Sequence, residues 1–392
     1  MLLREKADQA EALLRETGLG CWLIFARETC IHPDPGVELV VGADVVRNSA
    51  FLFGAGGERI AIAANFDTAN IKATGVFRDV IGYDDDIRPH LLAALERINP
   101  QTIGLNYSTD DQTADGLTHG HWLLLGELLR GTPYAGRLTS AAPLLSRLRG
   151  RKSPEEVRRL RRAVAATEEI CGLVTSQVRP GASERQLADF VQAEFRRRGA
   201  APAWPAEACP IVNAGPQSDM GHNTPRDDLR AEPGLLVHID LGLRLDGYCS
   251  DLQRNWYLRR PDESAPPEAI RRAFATVAGA IDAAAAVLKP GVRGHEVDAA
   301  ARRVVVEAGY PEYKHGTGHG LGRAVHDGGT MLGPRWPCYG KTTDGVVEAG
   351  NVFTLELGVV TEAGYLGLEE DVLVTADGCE FLSQRQREPI LV

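Results

Sequence analysis

The chain has 392 residues, of which 44% are hydrophobic and 24% charged, with a formal net charge of −10 from 43 basic and 53 acidic side chains. At roughly 100–200 residues per domain, this length suggests two or three domains, and the composition excludes a mostly disordered chain. The acidic balance argues against nucleic acid or an anionic membrane surface as a partner, and seven scattered cysteines with no C-x-x-C pair argue for a reduced, cytoplasmic protein without a disulfide framework or zinc knuckle.

The opening stretch, MLLREKADQAEALLRE, predicts a charged amphipathic helix ended by Gly18 and Gly20, with no apolar core of signal-peptide length. No run approaches the roughly 20 apolar residues of a membrane span. The short apolar runs CWLIFA (21–26), AFLF (50–53), RIAIAA (59–64) and TIGLN (102–106) read as strands. They alternate with the helical patterns HLLAALERI (90–98) and HWLLLGELLR (121–130), so residues 1–150 are expected to form an α/β domain. The GAGG at 54–57 lacks the spacing of a dinucleotide loop.

The boundary falls near 147–152, where Ser153-Pro154-Glu155-Glu156 supplies a capping serine, a proline in the first turn and a capping-box glutamate. The helix it opens is expected to run to about Val178 and to begin a second domain over 151–392. That domain carries a weak internal repeat: Pro180, Gly181 and Gly199 recur as Pro290, Gly291 and Gly309, each 110 residues on. Each copy reads as helix, Pro-Gly turn, second helix closed by glycine, and then an apolar hairpin, 235–258 or 352–375.

Both hairpins carry acids on otherwise apolar strands. In the first, Asp246-Gly247 is a two-residue turn signal that sets Asp240 opposite Gln253, with Asp251 as its diagonal neighbour. A loop slipped to Leu245-Asp246 sets Asp240 opposite Asp251 instead. In either register the two carboxylates share a face, within about 4.5–8 Å. In the second hairpin, Glu362-Ala363-Gly364 fits a three-residue loop, which pairs Glu356 with Glu370 and turns Glu369 to the other face. Four carboxylates brought together this way cannot all stay ionised without cations. Two divalent ions solve that problem, and oxygen-rich sites suit Mn²⁺, with Co²⁺, Fe²⁺ and Zn²⁺ as competitors. The third feature is KHGTGHGLGRAVHD (314–327), where His315, His319 and His326 fall in a glycine-rich loop of a chain with only ten histidines. His222, in GHNTPRDD, is a weaker candidate.

The segments HIDLG, CSDLQR, HGTGHGLG, FTLELG and LEEDVLV, in that order, resemble the motifs of the pita-bread metallopeptidases, which include proline dipeptidases, proline aminopeptidases and methionine aminopeptidases. The motifs cover about 150–392, and the preceding α/β region is similar in size and place to the N-terminal domain of the proline-specific branch. The resemblance implies a fold of the α/β (α+β) class: a creatinase/prolidase-like N-terminal domain, then a catalytic pita-bread domain with pseudo-twofold halves around a curved antiparallel sheet, assembled as a homodimer. It implies Asp240, Asp251, His319, Glu356 and Glu370 as ligands of two divalent ions, with Asp251 and Glu370 bridging. Glu356 doubles as a proton shuttle, and His222, His315 and His326 hold the substrate or stabilise its tetrahedral intermediate.

The implied reaction is hydrolysis of the bond between an N-terminal residue and proline in a small peptide. One departure concerns an arginine that many proline-specific members carry two residues before the last ligand. Here that position is Leu368, which leaves dipeptidase and aminopeptidase both open. Arg323 and Arg335 are possible replacements, though each reads first as a solvated surface charge. The segment 328–345, with Trp336 and Tyr339, reads as a loop near the site. Two alternatives remain: a non-peptidase hydrolase or lyase for a small nitrogenous or sulfonium compound, and a binding homologue that has lost the chemistry.

Overall fold

Two compact units divide the chain, Met1–Arg149 and Gly150–Val392. The computed structural model describes residues 2–219, 221 and 223–392. In the first unit the four apolar runs become strands of a six-stranded mixed sheet. Its spatial order is Asp79–Tyr83, Arg59–Ala64, Ser49–Gly54, Cys21–Ala26, Ile103–Leu105 and Leu138–Ser140. Along Cys21–Ala26, Trp22 and Ile24 enter one apolar cluster while Cys21, Leu23 and Phe25 enter another, so both faces of the sheet are covered. The expected helices form as Leu2–Thr17, Arg88–Ile98 and His119–Leu128. The two edge strands are short and only partly buried, and hydrophobic patterning did not mark them.

The second unit begins with the expected capping box. Ser153 accepts the Glu156 N–H at 3.3 Å, and the Glu156 carboxylate accepts the Ser153 N–H at 2.8 Å. The helix is Pro154–Val174; the chain then turns on Val178, whose N–H reaches the Val174 carbonyl, before Pro180. The internal repeat is visible as the helices Glu184–Arg197 and Gly294–Glu307, which occupy equivalent positions in the two copies. Each follows a long helix, Pro154–Val174 or Glu268–Val287.

The helix pairs back a seven-stranded sheet whose main path, Val352–Thr361, Gly364–Val374, Leu252–Tyr257, Leu236–Leu241 and Ile211–Ala214, is antiparallel; Cys379–Phe381 joins Gly364–Val374 antiparallel and Ile390–Leu391 joins Leu252–Tyr257 parallel. Phe274, Val277, Ile281 and Val297 pack on Leu355, Leu357 and Leu368 of the second hairpin. Ile170, Leu187, Val191 and Phe195 pack on Val212, Val237, Ile239 and Leu241 of the first. One face of the sheet is thus committed to apolar core, and the alternate residues point to the other face.

The first hairpin adopts the Asp246-Gly247 turn, with φ of 51° and 80° at the two residues, and Asp240 faces Gln253. The second departs from expectation by one residue. Thr361 pairs with Gly364, so the loop is Glu362-Ala363, and Glu356 faces Glu369 while Glu370 pairs with Leu355. The reason lies in Thr361. Its hydroxyl donates to the Gly364 carbonyl at 2.8 Å and accepts the Ala363 N–H at 3.2 Å, which closes the turn early and leaves Gly364 at φ 126° as the first strand residue.

Glu370 therefore does not join the acidic face, as the three-residue loop had required. It is buried against Arg254, whose Nη2 lies 3.0 Å from its Oε2, and it accepts further bonds from the Ser383 hydroxyl at 2.5 Å and the Gln386 N–H at 3.1 Å. Removing one partner of a buried pair strands the other charge. Glu370→Ala is expected to lower unfolding free energy by about 3–5 kcal/mol, read from urea midpoints, with metal binding retained by the folded fraction.

Candidate metal centre

A single row of side chains crosses four strands on the face away from the helices: Asp240, Gln253, Glu369 and Glu356, each opposite the next. Asp251 stands beside this row, where the first hairpin bends out of the sheet. The bend is tight because Gly242 packs on the Ser250 carbonyl, in the space a Cβ would need. Asp371 fixes it by accepting the Asp251 N–H at 3.1 Å. The three consecutive acids thus do three things: Glu369 faces the row, Glu370 neutralises Arg254, and Asp371 holds the backbone of Asp251.

His319 arrives from the loop that runs along the edge strand Val352–Thr361. The Thr354 N–H donates to the His319 carbonyl at 3.0 Å, and the Glu356 N–H donates to the Thr317 carbonyl at 2.7 Å. A side chain at Gly318 would fall on the Thr354 carbonyl, and one at Gly320 would lie 2.6 Å from the Gly328 carbonyl. The glycines around His319 therefore serve close approach to neighbouring backbone. Helix Gly294–Glu307 secures the loop through Arg302, which donates to the Tyr313 and His315 carbonyls at 2.8 Å each and pairs with Asp298. Asp298 also accepts the Thr317 hydroxyl at 2.8 Å.

The resulting cluster is electrostatically unfavourable as it stands. Asp251 and Glu369 are buried, while Asp240 and Glu356 are half-buried. Burial, followed by the charge of Glu356, pushes Asp240 up to about 8. Asp251 and Glu369 are raised well above the carboxylate range, again by burial first and then by neighbouring acids. Burial lowers His319, so its ring is favoured in the neutral, metal-ligating form. Asp240 Oδ1, Asp251 Oδ1 and Glu369 Oε1 are buried without a hydrogen-bond partner.

His319 Nε2 lies 3.7 Å from Asp251 Oδ2, 3.7 Å from Glu356 Oε1 and 3.9 Å from Glu369 Oε1. These gaps are too long for hydrogen bonds. They resemble the spacing of ligands around a shared ion: atoms about 2.1 Å from a tetrahedral metal stand about 3.4 Å apart. Ligand atoms of Asp251, His319 and Glu369 all lie within 4.8 Å of one another. The donor set therefore fits a divalent cation, and a small inward adjustment completes it.

The other expected residues vary in placement. The His326 ring stands edge-on to His319, with centroids 4.3 Å apart, and its side chain is exposed. His315 is half-buried, with Nδ1 2.7 Å from the Gly316 carbonyl oxygen. His222 lies outside the described residues. Of the arginines considered as substitutes, Arg335 pairs with Asp344 at 2.7 Å and Arg323 donates to the Tyr248 hydroxyl at 3.3 Å. The 328–345 loop meets the histidine loop where the Tyr339 hydroxyl accepts the Gly316 N–H at 3.0 Å.

Sequence reasoning missed Asp371, the bonding of Gln253 and the buried His238 behind it. His238 could have been found, since it lies two residues before Asp240 on the same strand and so shares its face.

Comparison with known proteins agrees with this chemistry. The profile described as metallopeptidase family M24 matches residues 158–376. The chain is 29% identical to the Xaa-Pro dipeptidase of Lactobacillus helveticus over 79% of each chain. It is 30% identical to the Xaa-Pro dipeptidase of Pyrococcus horikoshii over 61% of this chain and 64% of that one. The fold is similar to that of an Xaa-Pro dipeptidase from Bacillus anthracis, with a TM-score of 0.76, 23% identity and complete coverage of both chains.

The raised carboxyls have a consequence for stability. Asp240 binds its proton up to about 8 in the folded protein but only to its ordinary 3.8 when unfolded. Between those values the folded state holds more protons, so metal-free stability falls as pH rises through the window. A bound cation replaces the protons. The gain in melting temperature from saturating Mn²⁺ is expected to be small near about pH 5.5 and to grow toward about pH 8. A gain independent of pH contradicts this account.

Proposed function

The chain belongs to metallopeptidase family M24, and from that premise we propose that it hydrolyses the bond between an N-terminal residue and proline in small peptides. We assign two divalent ions to Asp240, Asp251, His319, Glu356 and Glu369. The observation that carries the assignment is the set of partnerless oxygens on Asp240, Asp251 and Glu369 beside the His319 imidazole. This mostly oxygen donor set suits Mn²⁺ or Co²⁺, with Fe²⁺ and Zn²⁺ as competitors.

Divalent ions held there lower the pKa of water toward neutrality and polarise a carbonyl oxygen. The chain supplies the rest. Glu356 is more open than Glu369, its side chain 21% exposed against 1%, and it is suited to pass a proton from water to the leaving imino nitrogen. His315 and His326 stand on the histidine loop, where their ring N–H groups can bond the substrate carbonyl as it becomes tetrahedral. The acids favour a positively charged substrate amine near the cluster, which biases cleavage to the N-terminus. The relatives named Xaa-Pro dipeptidase support the choice of proline.

Correcting the register also moves the position of the expected arginine. Two residues before Glu369 stands Gly367, and Leu368 points into the core. A side chain at Gly367 would collide with Gln253 Oε1 and approach Tyr365 and His238. His238 is held neutral, since burial lowers it to about 4. These neighbours offer no cation for the carboxylate of a dipeptide. The expected result is that metal-stripped protein regains hydrolysis of both Ala-Pro and Ala-Pro-Ala on adding Mn²⁺ or Co²⁺, with kcat/KM for the tripeptide equal or higher. Asp251→Ala stays at the metal-free level. Failure to cleave either peptide with metal bound would overturn the proline reading in favour of a non-peptidase hydrolase or lyase.

A further inference from the structure

One member of the acidic row is not an acid. The Gln253 amide nitrogen lies 3.0 Å from Glu369 Oε2 and 3.3 Å from Glu356 Oε2, so it gives one hydrogen to each carboxylate. Its oxygen must then face the other way, where His238 Nε2 lies at 3.0 Å. An amide oxygen only accepts, so Nε2 is the ring nitrogen that carries the hydrogen. On the far side, His238 Nδ1 lies 2.9 Å from Asn213 Oδ1, a second acceptor, so a neutral ring with its one hydrogen on Nε2 serves the Gln253 contact and leaves this one without a donor.

The assembly has little freedom. Gln253, His238 and Asn213 are all buried. Tyr365 stands edge-to-face on the His238 ring, with centroids 4.9 Å apart and planes at 86°. Gly367 leaves the space that the Gln253 amide occupies. A flipped Gln253 amide would turn its oxygen toward two carboxylates, and a His238 ring with its hydrogen on Nε2 opposes that by donating to the oxygen where it now stands.

Glu356 and Glu369 are directly opposed like charges, which repel. Both use Oε2 on Gln253, and both leave Oε1 toward His319 Nε2, at 3.7 and 3.9 Å. The bracket thus counters the repulsion and aims the two remaining oxygens at one place.

We propose that Gln253, backed by His238, is a positioning residue that holds Glu356 and Glu369 in a cation-ready arrangement and so raises the affinity of the site for divalent metal. The inference rests on the metal-centre reading above. Supporting groups around metal ligands change affinity by roughly 10–100-fold when removed.

The test is Co²⁺ titration of the metal-stripped, full-length protein, followed by calorimetry and by the visible spectrum of the bound ion. Gln253→Met keeps the volume and removes the bracket; His238→Leu removes its backing; His238→Gln restores a donor near the Nε2 position. The expected result is a loss of Co²⁺ affinity of roughly 10–100-fold and an altered spectrum in Gln253→Met and His238→Leu. With saturating metal, kcat falls more than KM rises, and His238→Gln recovers most of the affinity. Wild-type affinity and spectrum in Gln253→Met overturn the inference while leaving the metal centre intact. No Co²⁺ uptake by the wild-type protein overturns both. Should Gln253→Met fail to fold, the two His238 variants decide: equal Co²⁺ affinities in Leu and Gln refute the positioning role.

Discussion

Repulsion among buried acids is the constraint on which the rest of this molecule depends. At an effective dielectric near 20, two carboxylates about 4 Å apart repel by about 4 kcal/mol, and burying each ion costs several more. A domain has only about 5–15 kcal/mol of net stability. Asp240, Asp251, Glu356 and Glu369 therefore cannot all stay ionised as neighbours on one face of a sheet. The helix pairs on the opposite face lock the strands through Phe274, Val277, Leu187 and Phe195, so the acids cannot relax by sliding the register. What remains is protonation, toward which burial and mutual repulsion push Asp240, Asp251 and Glu369, or a cation. The same logic explains the neighbours: Glu370 meets Arg254, and Asp371 accepts the Asp251 N–H.

How much of this was legible in the sequence depends on what sets each register. Asp246-Gly247 takes positive φ at both residues, a turn whose chemistry is written in the dipeptide, and Asp240 fell opposite Gln253 as expected. The second turn is closed by the Thr361 hydroxyl, a side-chain contact that a loop-length rule does not contain. In a strand, one residue of slip exchanges the two faces, so this small error swapped Glu369 with Glu370 and moved the expected arginine position from Leu368 to Gly367. Family resemblance alone did not correct it, because LEEDVLV offers three acids in a row.

Patterning read the apolar strands of the first unit well because their burial on both faces leaves continuous hydrophobic runs. It missed Asp79–Tyr83 and Leu138–Ser140, whose places come from pairing at the sheet edges. The glycine-rich histidine loop was legible as a site, but the purpose of its glycines was not. Gly318 and Gly320 let the loop lie against the backbone of Thr354 and Gly328, and that contact delivers His319 to the acids. The role of Gln253 depended on three elements converging, since its partners come from the 236–241, 352–361 and 364–374 strands.

The most direct measurement of the central claim is anomalous diffraction at the manganese edge from crystals grown with Mn²⁺. The account predicts two peaks about 3.5–4 Å apart among Asp240, Asp251, His319, Glu356 and Glu369, with Glu370 still on Arg254. A cluster without anomalous density, or a manganese ion ligated by Glu370 in place of Glu369, would contradict it.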